Sequence, residues 1–155
     1  MKPKTWEAAW QERHSHELWS VPDTEVVALL ETLRGEGAET VLDLGFGLGR
    51  HVILFAGEGF DTYGIEPTRS WFAYCEEWLE AEGLRADIRI GEMTELPYEN
   101  GFFDFVLSWN VIYHGTRGDG PLRGMGCSQF GGAGGGPRGL LDSSSYHWMI
   151  LARKP

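Results

Sequence analysis

Asp43, Gly45, Gly47 and Gly49 share one short stretch, VLDLGFGLGRH at 41–51, and Glu66 closes another, YGIEP at 63–67. Glycines where a strand runs into a helix admit positive φ and let a ligand approach backbone N–H groups with no Cβ in the way. A carboxylate at the end of the next strand can accept both hydroxyls of a ribose, each charge-assisted hydrogen bond contributing about 1.5–3 kcal/mol. Together they call for a nucleotide-like ligand. The glycine spacing is G-x-G-x-G, not the G-x-G-x-x-G of a dinucleotide cradle, and Asp43 stands two residues ahead of the first glycine. An acid there repels a pyrophosphate and suits a ligand with positive charge. A second glycine-rich run, FGGAGGGPRG at 130–139, is followed by no Lys-Ser or Lys-Thr and preceded by no strand, so it is not a phosphate loop.

The elements that must position these residues follow from periodicity. Residues 4–19 read as a helix with Trp6 and Trp10 on one face. A second helix, which Asp23 or Thr24 can cap, carries a stripe of Val26, Val27, Leu29, Leu30 and Leu33, and stops at Gly35. ETVLDLG is a buried strand, GRHVILFAGEG a helix closed by Gly57 or Gly59, and FDTYGIEP a second strand. SWFAYCEEWLEAEG is a helix with Trp71, Phe72, Cys75, Trp78 and Leu79 inward and its glutamates outward. RADIRIGEM and FDFVLSWNVIYH supply two more strands. Short apolar strands alternating with helices predict an α/β fold: a doubly wound, mostly parallel Rossmann-like sheet. From Gly115 to Gly139, 11 of 25 residues are glycine and no period survives, which predicts an irregular or disordered segment. HWMILARKP again reads as a strand. The expected organisation is a helical segment over 1–35, a ligand-binding core over 36–118, an irregular stretch over 119–145 and a C-terminal strand over 146–155.

A ligand with a ribose, an α-amino group and a cationic sulfur answers both acids, and S-adenosyl-L-methionine is such a ligand, whereas Asp43 disfavours NAD. VLDLGFGLGRH, YGIEPT and IGEMTELPYENGFFDFVLSWNVIYH resemble, in order, the motifs of class I S-adenosylmethionine-dependent methyltransferases, notably small-molecule enzymes of the tellurite-resistance type. The resemblance runs from about Trp6 to Gly118. It implies that Asp43, Gly45, Gly47 and Gly49 hold the methionine portion and that Glu66 binds the ribose, with Pro67 by the adenine. It likewise places Glu92 and Met93 at the adenine, and Trp109 and Asn110 beside the methionine and methyl group. Phe46 departs mildly from the pattern, where a small residue or Cys is commoner. Methyl transfer from an activated sulfonium needs chiefly orientation and electrostatics. Tyr113 and Trp109 could offer aromatic faces to the cation, His114 could take a proton from an acceptor, and Trp6, Trp10 and Trp19 could form a lid.

The family fold has seven strands in the order 3-2-1-4-5-7-6, and this chain supplies the first four, in the order 3-2-1-4, plus a candidate final strand. The sheet is therefore expected to be truncated, with an internal deletion or reading-frame disruption between about Asp119 and Ser145. An open far edge on the fourth strand would favour poor solubility or a homodimer. The formal charge of −10, with no basic cluster, argues against a nucleic-acid partner. No apolar run suits a membrane span, the N-terminus has no secretory pattern, and the cytoplasm is the expected compartment. His14 and His16 lie on different helix faces, and Cys75 and Cys127 are far apart, so no metal site is expected; Cys75 reads as a small buried hydrophobe. The expected function is methyl transfer to a small-molecule acceptor. The alternatives are cofactor binding with little turnover and an NAD-dependent oxidoreductase.

Overall fold

The computed structural model describes residues 19–92, 95–99 and 101–109, together with the backbone of 152 and 153. The helix expected over 4–19, with Trp6 and Trp10, lies outside the described residues except for Trp19, and the glycine-rich stretch lies outside them too. Helix α1 (Thr24–Gly35) leads into strand β1 (Thr40–Leu44). Helix α2 (Arg50–Gly57), strand β2 (Asp61–Glu66), helix α3 (Arg69–Glu82) and strand β3 (Asp87–Ile90) follow, then β4 (Phe105–Leu107) and β5 (Ala152–Arg153). The sheet order is β3-β2-β1-β4-β5, with the first four strands parallel. The α/β order read from periodicity is the order observed.

Alternation along the strands divides the core. Val41, Phe105 and Leu107 pack with Val26, Leu30 and Leu33 of α1 and with Phe55 of α2. Val52 of α2 packs with Cys75 and Leu79 of α3 and, on the strands, with Ile88. These three helices therefore share one face. On the other face, Leu42, Leu44, Ile65 and Val106 are covered by Leu96, Tyr98 and Phe103. Tyr63, Tyr98, Phe102 and Phe103 interlock there through edge-on and stacked rings with centroids 4.8–5.9 Å apart. Among the described residues, aromatic side chains of a loop do on this face what helices do on the first. The inward stripes hold in part: Val27 of α1 is exposed, and only Cys75 and Leu79 of α3 are fully buried, with Trp71 and Trp78 at its margin.

The chain steps from β1 to β2 to β3 in one direction and then returns to place β4 on the other side of β1. The carboxyl ends of β1 and β4 thus flank the point where strand order reverses, which is where open parallel sheets bind ligands. The far edge of β4 is not open along its first two residues: Phe105 and Val106 pair antiparallel with Arg153 and Ala152. A strand donated from the C-terminus satisfies backbone groups that were expected to face solvent or a second subunit.

Asp104 sets the register at the opposite end of the sheet. Its Oδ2 accepts from the backbone N–H groups of Glu39 and Thr40 and from the Thr40 hydroxyl, each at 2.9 Å, while its own N–H donates to Thr40 Oγ1 at 2.9 Å. This clamp joins chain positions 64 apart, one residue before β1 and β4 begin to pair at Val41 and Phe105. Asp104→Ala is expected to lower unfolding stability by about 2 kcal/mol, through a lower urea midpoint at unchanged slope. A loss below about 0.5 kcal/mol would remove the clamp from the account.

Candidate functional site

The site is built where β1 and β2 end side by side. Asp43 pairs with Gly64 in the parallel register, so its side chain points to the helix-covered face, and Glu66 follows two residues later on that face. Both carboxylates are almost completely buried, at 2% and 3% exposure. The loop between β1 and α2 folds over them with all three glycines at positive φ: Gly45 at 72°, Gly47 at 58° and Gly49 at 94°.

The hydrogen bonds of that loop run inward. Gly45 N–H donates to Ile65 O at 2.7 Å, Gly47 N–H to Glu66 Oε2 at 2.8 Å, and Gly49 N–H to Phe46 O at 2.9 Å. The amides of all three glycines are therefore already committed, and none is left to cradle a phosphate. Glu66 is fixed from both sides, since Oε1 accepts the Thr68 N–H at 3.0 Å. A carboxylate has about four acceptor positions, so beside its Gly47 and Thr68 donors Glu66 keeps capacity for a ligand hydroxyl. Asp43 Oδ2 is buried with no hydrogen-bond partner among the described residues. An unpaired buried acceptor costs about 1–3 kcal/mol and marks a place where a ligand donor or cation would be stabilised. Orphaned Asp43, retained Glu66 acceptors and the absence of free glycine amides suit a ligand with an ammonium group and a ribose better than a pyrophosphate.

Packing dictates the glycines as much as ligand access does. A Cβ on Gly49 would come within 2.9 Å of Cys75 Cβ and closer still to its sulfur, so α3 abuts the loop at this point. A Cβ on Gly64 would come within 2.6 Å of the Phe46 ring. Phe46, the residue out of keeping with the motif, is buried over the space that Gly64 leaves on β2. Cys75 is fully buried, as expected of a small hydrophobe, and burial pushes its thiol up to about 12.

Of the other sequence candidates, Pro67 is exposed beside Glu66, and Glu92 is exposed two residues beyond the end of β3. Trp109 is buried two residues past β4, with its ring edge-on to His51 at 6.0 Å between centroids. Met93, Asn110, Tyr113 and His114 lie outside the described residues. Sequence reading overlooked Asp23, Arg50 and His51. Arg50 pairs with Asp23 at 2.5 Å, donates to Val21 O at 3.4 Å and lies over the Trp19 ring at 4.6 Å. His51 Nε2 accepts the Asp23 N–H at 3.2 Å, and burial holds its pKa below the ordinary histidine value against the opposing pull of the Asp23 carboxylate. Asp23 or Thr24 was expected to cap α1. Asp23 occupies the cap position but makes no side-chain cap bond, because its carboxylate is turned to Arg50. The available signal was the Arg-His pair directly after the last glycine.

Burial, opposed by Arg50 and reinforced by Glu66, raises the Asp43 carboxyl from 3.8 to about 7. The native form thus holds a proton that the unfolded chain has lost. Its stabilising contribution is complete below about 3.8 and disappears as pH rises to about 7. Without ligand, stability is expected to fall across this window by up to about 1.4 kcal/mol per pH unit, and Asp43→Asn is expected to flatten the slope. Thermal unfolding between pH 4 and pH 8 measures both. Gly49→Ala is expected to cost about 2–4 kcal/mol, from positive φ and the clash with Cys75, and the double variant with Cys75→Ala is expected to recover part of that loss.

Residues 41–123, just over half of the chain, match the model of a methyltransferase domain. A tRNA U34 carboxymethyltransferase of Alcanivorax borkumensis is 33% identical over 90 residues, which are 55% of this chain and 26% of that protein. Two solved structures share the fold. One, assigned as an S-adenosyl-L-methionine-dependent methyltransferase of Methanococcus maripaludis, has a TM-score of 0.64 at 17% identity, covering 81% of this chain and 59% of its own. The other, an S-adenosylmethionine-dependent methyltransferase of Clostridium acetobutylicum, has a TM-score of 0.52 at 13% identity, covering 67% and 44%. The chain thus spans about a quarter of the length of the curated relative and about half that of the solved structures. The domain match sides with methyl transfer against the nicotinamide alternative. Among the described residues no helix is long and apolar enough to cross a membrane, and no three His, Cys, Asp or Glu side chains gather as a metal site. The chain belongs to the methyltransferase-domain family.

Proposed function

We propose that this chain binds S-adenosyl-L-methionine across the ends of β1, β2 and β4 and directs its methyl group to a small-molecule acceptor. The observation that carries the reading is the pair of buried carboxylates, one orphaned and one held by backbone amides, under a loop whose glycine N–H groups are all in use. The cofactor supplies an activated methyl sulfonium, and the chain supplies orientation and charge. Asp43, with Gly45, Gly47 and Gly49 shaping the loop around it, receives the ammonium end. Glu66 accepts the ribose hydroxyls, and Pro67, Glu92 and Met93 border the adenine. Trp109 and Asn110 flank the methionine portion at the end of β4. Tyr113 offers an aromatic face to the cation, and His114 takes the acceptor's proton at neutral pH. The net charge of −10 favours a small acceptor over a polyanion, although the curated relative is named for tRNA.

Calorimetry with S-adenosyl-L-methionine and with NAD tests the cofactor. Binding of the first and not the second is expected, with Asp43→Ala and Glu66→Ala each weakening it about tenfold or more, as loss of a charge-assisted contact requires. Equal binding of NAD, or unaltered affinity in both variants, overturns the reading. Incubation with labelled cofactor and panels of amines, thiols, oxyanions, hydroxy compounds and bulk tRNA tests the acceptor. Transfer to a small molecule, abolished by His114→Ala, is expected. Transfer to tRNA alone would reassign the acceptor.

A further inference from the structure

Arg50 follows the last loop glycine directly, is 8% exposed and opens α2. Its charge lies within electrostatic reach of two carboxylates, Asp23 and Asp43. Only one of them holds it in a close ion pair: the guanidinium reaches Asp23 Oδ2 at 2.5 Å, whereas Asp43 Oδ2 is buried without a partner among the described residues. The choice is reinforced from three directions. Val21 O accepts a hydrogen bond from Nη1, the Trp19 ring lies against the guanidinium, and His51 fixes the backbone of Asp23 by accepting its N–H. Asp23 forgoes capping α1 to make the pair.

Leaving one buried carboxylate unpaired within electrostatic reach of a buried arginine is unfavourable unless something else is to occupy it. An Arg50–Asp43 pair would relieve the orphan and would also fill the position that a cationic ligand needs. We propose that Asp23 is a positioning residue that draws the Arg50 guanidinium toward the segment preceding α1 and so keeps the Asp43 carboxylate open to the cationic end of the cofactor. This rests on the cofactor reading above. Asp23 touches no ligand in this scheme. It acts by withholding a competitor.

The consequence is a pattern that loss of packing does not produce. Asp23→Asn releases one positive charge whose remaining anionic partner within reach, among the described residues, is Asp43. S-adenosyl-L-methionine affinity is expected to fall about tenfold. Asp23→Glu is expected to restore affinity to within about threefold of the wild type. Removing the competitor as well, in Asp23→Asn/Arg50→Met, is expected to recover most of the lost affinity, although more of the native contact set is gone. Arg50→Gln replaces Arg50→Met should the latter fail to fold, as judged by thermal unfolding.

A ligand-free measurement separates this proposal from the cofactor assignment. The Asp43 carboxyl titration, followed by carbon NMR on the protein alone, is expected to move to lower pH in Asp23→Asn, as Arg50 settles on it, and to return upward in the double variant. An Asp23→Asn protein that binds like the wild type overturns the proposal. So does a double variant that binds as weakly as the single, or an Asp43 titration that Asp23→Asn leaves in place. Should the wild type bind no S-adenosyl-L-methionine, the cofactor reading falls and the titration alone decides whether Asp23 restrains Arg50.

Discussion

Two carboxylates buried side by side at the ends of adjacent parallel strands are the constraint around which the rest of the site is arranged. Burying a charge is costly unless it is paired, hydrogen-bonded or protonated. Glu66 is accommodated by backbone N–H donors, one from the glycine loop and one from the start of α3. Asp43 is accommodated differently: its carboxyl is pushed up toward neutrality, and the nearby Arg50 charge offsets part of the burial. The same buried face thus holds one carboxylate fixed by hydrogen bonds and one left open, and the proposed cofactor reading rests on that difference.

Packing then sets the shape of the loop that covers these acids. Phe46 fills the space over Gly64, and Gly49 lets Cys75 of α3 approach the loop closely. Both contacts fasten a ligand-facing segment to the core, so the loop is held by β2 and α3 as well as by its own turn. The Arg50–Asp23 pair adds a third fastening, toward the chain before α1. A site assembled from strand ends is only as rigid as the packing behind it. Here that packing comes from residues that touch no ligand in the proposed scheme.

Several of the relevant features were legible in the chain itself. Asp43, the three loop glycines and Glu66 announce themselves by type, spacing and position after apolar runs, and the β-α-β-α-β-β order follows from period alone. Other features were not. Periodicity could not show that Asp23 abandons its cap for Arg50, since the competing partner lies 27 positions away. Nor could it show that Val27 faces solvent, that a loop's aromatics cover one sheet face, or that Phe46 and Gly64 are complementary. Each depends on which non-neighbouring side chains meet.

By itself the sequence determined which elements form, in what order, and that an acid-flanked glycine turn precedes a second acid one strand later. These are local properties, fixed by hydrophobic period and by the φ range that glycine alone adopts readily. Only the tertiary structure decided that the glycine amides are spent internally, that Asp43 Oδ2 is left without a hydrogen-bond partner among the described residues, and that residues 152 and 153 pair with β4. Those outcomes turn on how buried charges and unpaired backbone groups are shared among distant segments, and that partition exists only once the strands lie side by side.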